Sequence, residues 1–163
     1  MFSKTCEYGL RACVFIATGS EKGNKVGIQE IAKEIDSPVY FTGKILQHLV
    51  KAKIVSSVKG PNGGFFLEPG AKPIPVIRVL EILGCDDFFY RCALGLKSCS
   101  DKHPCPMHGA FKPYREGLKQ LLMRTTIQEL AHKIKAGNGH ILDLPEEPGA
   151  GALAAAVAGR QGT

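Results

Sequence analysis

The 163-residue chain predicts a mainly α-helical fold with one small β wing. Three observations carry that prediction. Two short segments of helical periodicity, "IQEIAKEI" and "PVYFTGKILQHLVKA", flank a tight "DSP" turn at 36–38. A hairpin pattern, "IVSSVKGPNGGFFLEP", follows at once over residues 54–69. Beyond a cysteine-rich stretch, amphipathic helix resumes at "AFKPYREGLKQLLMR". Two helices joined by so tight a turn and followed by a hairpin form a winged helix-turn-helix, here extended by a long C-terminal dimerisation helix.

The elements read as follows. Residues 3–18 form a helix that Ser3 or Thr5 can cap and Gly19 can stop. Its apolar stripe is Cys6, Leu10, Cys13 and Ala17, which makes Cys6 and Cys13 core residues. Ser37 suits an N-cap and Pro38 the first helical position of the second helix of the pair. That helix buries Phe41, Ile45, Leu46, Leu49 and Val50, leaving Tyr40, Gly43, Lys44, Gln47, His48 and Lys51 outward. In the hairpin, Asn62-Gly63 supplies the positive-φ turn. Residues 75–83 form a further short helix, and Cys85 after it is read as buried. The C-terminal helix carries Phe111, Tyr114, Leu118, Leu121 and Leu122 on one stripe, and Thr126 with Glu129 restarts it as a capping box. Leu130 and Ile134 continue its apolar side. With nothing left in the chain to cover, this element is expected to pack on a second copy. The divisions are 1–84 (DNA-binding domain), 85–109 (cysteine-rich cluster loop), 110–142 (dimerisation helix) and 143–163 (a Gly/Ala/Pro-rich tail read as disordered).

Charge and hydropathy narrow the function classes. The net charge is +6, with ten Lys/Arg against six Asp/Glu in residues 1–72 and six against two in 109–136. Such a distribution suits a nucleic-acid binder. The longest apolar run, "GALAAAVAG", is about half of the roughly 20 residues that span a bilayer. Lys4, Glu7 and Arg11 interrupt any signal-peptide pattern. The expected location is the cytoplasm, without membrane contact, where clustered cysteines are metal ligands or redox centres more often than disulfides.

The stretch "CALGLKSCSDKHPCPMH" carries the chemistry. Six residues separate Cys92 from Cys99, five separate Cys99 from Cys105, and His108 follows after two more. Thiolates suit iron–sulfur clusters or zinc. The short C-x₂₋₄-C knuckle of structural zinc sites is absent, and the wider spacings suit a loop around something larger than one ion. On spacing alone, an iron–sulfur cluster, zinc and redox or structural thiols all stay open. So long a loop needs a function or an organising ligand.

Over roughly residues 1–142 the chain resembles the Rrf2 family of winged-helix transcription regulators, which includes iron–sulfur sensors. The resemblance rests on "CEYGLRA", "SSVKGPNGGFFL" and "C…C…CPMH". It implies a homodimer that binds double-stranded operator DNA and holds a [2Fe–2S] or [4Fe–4S] cluster on Cys92, Cys99 and Cys105. His108 matches the fourth ligand of the IscR-like branch. Glu7 matches a carboxylate that the NsrR-like branch donates from the first helix of the partner subunit; the plainer reading of Glu7 is a solvated acid at a helix start. The spacing between the first two cysteines is one residue longer than is usual in the family. Tyr40, Gly43 and Lys44 match positions through which the family reads bases, and Ser57 and Lys59 match its wing contacts. Members often carry Glu where Gly43 stands, so one base contact is lost here and the operator cannot be copied from a relative.

The resulting expectation is a DNA-binding regulator, a repressor, gated by a cluster that senses nitric oxide, redox or iron status. The alternative is a cluster-free DNA-binding regulator that senses through cysteine oxidation or zinc. An enzyme is not expected: the chain has no C-x-x-C pair, phosphate loop or Ser-His-Asp set.

Overall fold

The computed structural model describes residues 2–142, so the tail expected from 143 onward lies outside the described residues. Six helices and one two-stranded sheet follow in the order α1 (Lys4–Ser20), α2 (Ile28–Glu34), α3 (Val39–Lys51), β1 (Ser56–Val58), β2 (Gly64–Phe66), α4 (Val76–Ile82), α5 (His108–Arg124) and α6 (Ile127–Lys135). A 3₁₀ turn, Asp87–Phe89, lies between α4 and α5. The fold is the expected one, mainly helical with a small wing.

α1 is the central pillar. Cys6, Ala12, Cys13 and Ile16 are fully buried, and α2, α3, α4, α6 and β2 all pack against this helix. Burial holds the Cys13 thiol up at about 12, as befits a core residue rather than a reactive one. Ser3 occupies the N-cap but does not cap with its side chain; its hydroxyl lies 2.9 Å from Cys6 Sγ.

Two local expectations are corrected at the helix-turn-helix. Pro38, not Ser37, is the N-cap of α3, and Ser37 Oγ is buried without a partner. The turn is made instead by Asp36 in the left-handed region, at φ 48°. Thr42 is fully buried beside Ile45, Leu46 and Leu49, because its hydroxyl donates to Pro38 O at 3.1 Å and so leaves no unsatisfied group.

The wing pairs Ser56 with Phe66, Ser57 with Phe65 and Val58 with Gly64. Phe65 also exchanges both backbone hydrogen bonds with Val26, which ties the wing to the entrance of α2. Ser20 Oγ accepts from Leu67 N at 2.8 Å and fastens the exit of the hairpin to α1. The positive φ values lie at Gly60 and Gly64, not at the expected Asn62-Gly63. Gly63 is needed for space: a Cβ there would sit 2.1 Å from Val58 O.

The C-terminal helix is not one element. It breaks at Thr125–Thr126, where the expected capping box forms between Thr126 and Glu129. α6 then turns back onto α1, and Ile127 and Ala131 join the core with no exposure. A bridge between Pro75 and Thr126 holds the return. The expectation that residues 126–136 have nothing in their own chain to cover is therefore corrected. α5 differs: no residue of it is buried, and Tyr114 is 80% and Leu121 59% exposed. Leu118 and Leu122 pack against the core and Phe111 meets Phe88, while Tyr114 and Leu121 are exposed.

Candidate metal centre and DNA-binding face

The loop between α4 and α5 is anchored at its start by Phe89, which is 2% exposed, and by edge-to-face contacts of Phe88 with Phe89 and Phe111. Successive turns then bring the cysteines round. Gly95, at φ 73°, closes a turn onto Cys92 O, Ser100 and His103 close a second, and His108 N bonds Cys105 O where α5 begins. The three Sγ atoms converge to within 4.8 Å of one another. Cys92 Sγ lies 3.5 Å from Cys105 Sγ, and Cys105 N donates to Cys99 Sγ at 3.4 Å.

His108 lies beside one of the three thiols, Cys99. Its Nδ1 is 3.2 Å from Cys99 Sγ, and its Nε2 is 2.9 Å from Asp101 Oδ1. A carboxylate behind a histidine is the arrangement that fixes ring orientation at metal sites. Lys112 grips both oxygens of Asp101 at 2.7 Å, so the acid is held from two sides. Lys112 first, then His108, keep the Asp101 carboxyl below its ordinary range. Asp101 and Lys112 were not singled out from the sequence. The one signal for Asp101 is an acid two residues past a cysteine and seven before the histidine.

The thiols are tuned apart. Burial pushes Cys92 up, but the backbone N–H groups of Leu94 and Leu96, together with the Cys105 and Cys99 thiols, outweigh it and hold Cys92 at about 7. Cys105 is pushed up, by burial and then by Cys92. A thiolate at neutral pH is the form that ligates metals. Three converging soft thiols, with a backed imidazole beside Cys99, suit an iron–sulfur cluster and also suit zinc.

Glu7 lies elsewhere in the chain. It pairs with Lys4 at 2.9 Å and lines a cleft with Arg11 and His140, so within one chain it is not among the converging donors. Cys85, expected buried, is half-buried, and its sulfur is in bonding contact with that of Cys6.

On α3, Tyr40 is 78% exposed, and the Lys44 ammonium lies over its ring at 5.3 Å. Gly43 is only half exposed; a Cβ there would approach Ile28 of α2 to 3.2 Å. Its smallness therefore serves the packing of the two helices as well as leaving a gap on the outer face. Ser57 and Lys59 are exposed on the wing. Among the described residues, no helix is long and apolar enough to cross a membrane.

A helix-turn-helix with an outward-facing α3, a wing that carries Lys59 and, in the same chain, a thiol-rich loop are the features of a DNA-binding transcription regulator. Residues 2–133 match the Rrf2 family, described as an iron-dependent transcriptional regulator, and the chain belongs to that family. It is 31% identical over 132 residues to an HTH-type transcriptional regulator of Aquifex aeolicus, covering 80% of this chain and 90% of the relative. It is 28% identical over 137 residues to the HTH-type transcriptional regulator IscR of Klebsiella pneumoniae, covering 84% and 80%. Its fold is similar to that of CymR, the global cysteine regulator of B. subtilis, with a TM-score of 0.64 at 21% identity over 81% of this chain and 96% of that one.

Proposed function

We propose that this protein is a homodimeric repressor whose binding to double-stranded operator DNA is controlled by an iron–sulfur cluster held by Cys92, Cys99, Cys105 and His108. The observation that carries the reading is the convergence of the three thiols, with His108 Nδ1 beside one of them, Cys99, and backed by Asp101 and Lys112. His108 is preferred to Glu7 as the fourth ligand because it already faces Cys99. Glu7 would have to come from the partner copy.

When bound, an iron–sulfur cluster supplies chemistry that nitric oxide, redox change or iron limitation can alter. The protein's own part is mechanical. Cys92, Cys99 and Cys105 draw the loop together, and His108 ties it to the first turn of α5. The outer face of α5, with Tyr114 and Leu121, packs on its counterpart in the second copy. The spacing of the two α3 helices depends on that seam, and a palindromic operator tolerates little change in spacing. Tyr40 and Lys44 enter the major groove, the backbone at Gly43 approaches it, and Ser57 and Lys59 reach the phosphates. Residues 1–84 act as the DNA-binding unit and 85–109 as the sensing loop. The protein works in the cytoplasm, where the operator is.

A cluster-free regulator that senses through cysteine oxidation or zinc is the second reading. It is favoured by the 3.5 Å approach of Cys92 Sγ to Cys105 Sγ, from which a small shift forms a disulfide. The test is an operator titration at one fixed salt concentration under anaerobic conditions, with iron and acid-labile sulfide measured on the same samples. Holo protein is expected to carry both and to differ from apo protein and from Cys105→Ala by at least tenfold in affinity, about 1.4 kcal/mol of coupling. Equal affinities for all three would overturn cluster gating. A colourless protein free of iron would favour the second reading.

A further inference from the structure

Outside the triad, a second pair of cysteines is brought together from residues 79 positions apart in sequence. Cys6 lies in the first turn of α1, and Cys85 is the third residue past the end of α4, where the cysteine loop begins. Their Cα atoms are 6.3 Å apart, within the span a disulfide bridges without backbone movement. The Ser3 hydroxyl lies 2.9 Å from Cys6 Sγ and 3.7 Å from Cys85 Sγ. The two thiols differ in access: Cys6 is fully buried, whereas Cys85 is half-buried. Both belong to the wall of a cavity of about 610 Å³, which also meets Arg91, Phe111 and the triad residue Cys92.

We infer that Cys6 and Cys85 form a thiol–disulfide exchange site for low-molecular-weight disulfides such as glutathione disulfide, separate from the cysteine triad. The accessible Cys85 thiolate attacks one sulfur of the small disulfide entering the cavity. A Cys85–glutathione bond forms, and one glutathione thiolate leaves. The Cys6 sulfur then attacks Cys85 Sγ, which forms the internal disulfide and releases the second glutathione, whose sulfur takes up the Cys6 proton. Two protein thiols are oxidised and one small disulfide is reduced to two thiols, so atoms and electrons balance. The bond fastens the start of the central helix to the root of the sensing loop. This site does not depend on whether the triad holds a cluster.

Tryptic digestion places the cysteines concerned on different peptides: Cys6 in 5–11, Cys13 in 12–22, Cys85 in 79–91 and Cys92 in 92–97. The full-length protein is reduced, exposed anaerobically to increasing glutathione disulfide, alkylated in denaturant and digested without reductant. The expected result is loss of alkylation at Cys6 and Cys85 together, with peptides 5–11 and 79–91 joined at the sum of their masses less two hydrogens. Cys13 stays fully alkylated. Cys85→Ser is expected to abolish the joined peptide and to leave Cys6 alkylated; should that variant not fold, the wild-type map decides alone. Recovery of Cys6 and Cys85 both alkylated would overturn the site. So would a glutathione adduct that persists on Cys85, or a bond from Cys85 to Cys92.

Discussion

From α1 through the 3₁₀ turn the chain is ordered by burial: α1, α3 and α4 meet with Cys6, Ile16, Leu46, Leu49 and Leu80 wholly enclosed. From residue 90 to residue 124 only Cys105 is buried, and order comes from a chain of polar contacts through Cys99, His108, Asp101 and Lys112. The two regions belong to one chain but answer to different forces. Burial of apolar surface is insensitive to ligands, whereas a loop held by thiols and one ion-paired acid responds to anything that binds or oxidises those thiols. On the proposed function, a DNA-binding unit that keeps its shape and a sensing loop that changes shape would be built from different interactions.

The comparison breaks most visibly in the core. Leu46→Ala removes a fully enclosed side chain and is expected to cost about 2–5 kcal/mol. That lowers the melting temperature by roughly 10 °C, read by circular dichroism. Cys99→Ala in the loop is expected to abolish iron and sulfide binding, yet to shift the melting of the cluster-free protein by no more than about 2 °C. A large shift would show that the loop contributes to the fold, and the contrast between the regions would be lost.

α5 sharpens the same contrast, because Tyr114 and Leu121 on its outer face have no cover among the described residues. Leu121→Lys is expected to convert dimer to monomer in sedimentation and to weaken operator binding, with helix content unchanged. An unaltered dimer would move the seam elsewhere.

Smaller effects are expected on the DNA face. Lys59→Ala should weaken binding to operator and unrelated DNA alike and reduce the salt slope by about one unit, since a wing lysine mainly displaces counterions. Lys44→Ala should change preference among operator bases instead. The reverse pattern would mean that the wing reads sequence.

The smallest effect separates the thiols by pH. With Cys92 held at about 7, its thiolate is present above that pH and is lost as pH falls below it. In cluster-free protein, alkylation of Cys92 should therefore fall about tenfold per pH unit below 7. Cys13, held at about 12, should stay unreactive across the range unless the protein is denatured. Equal rates at both residues would remove the distinction between the core cysteine Cys13 and the loop cysteine Cys92.

Much of this was legible from sequence, because it depends on neighbours a few residues apart. Helical periodicity placed α1, α3 and α4 to within two residues at every end. The capping box of Thr126 and Glu129 formed as its four-residue pattern predicts. The spacing of Cys92, Cys99 and Cys105 announced their convergence because one short loop carries all three. Tertiary structure decided the rest. Nothing local tells Thr42 to be buried; that follows from α3 lying against α1 while Pro38 O stands ready to accept its hydroxyl. Nothing in the stripe of Leu130 and Ile134 says whether it meets a second copy or α1. The bridge at Pro75 and Thr126 settles that by turning α6 home. The approach of Cys6 to Cys85 needs α1 and α4 packed side by side. Dihedral preferences, caps and turns act over a single turn of chain, so sequence displays them. Contacts closed over many tens of residues exist only once the helices have chosen their neighbours, and that choice belongs to the packed core as a whole.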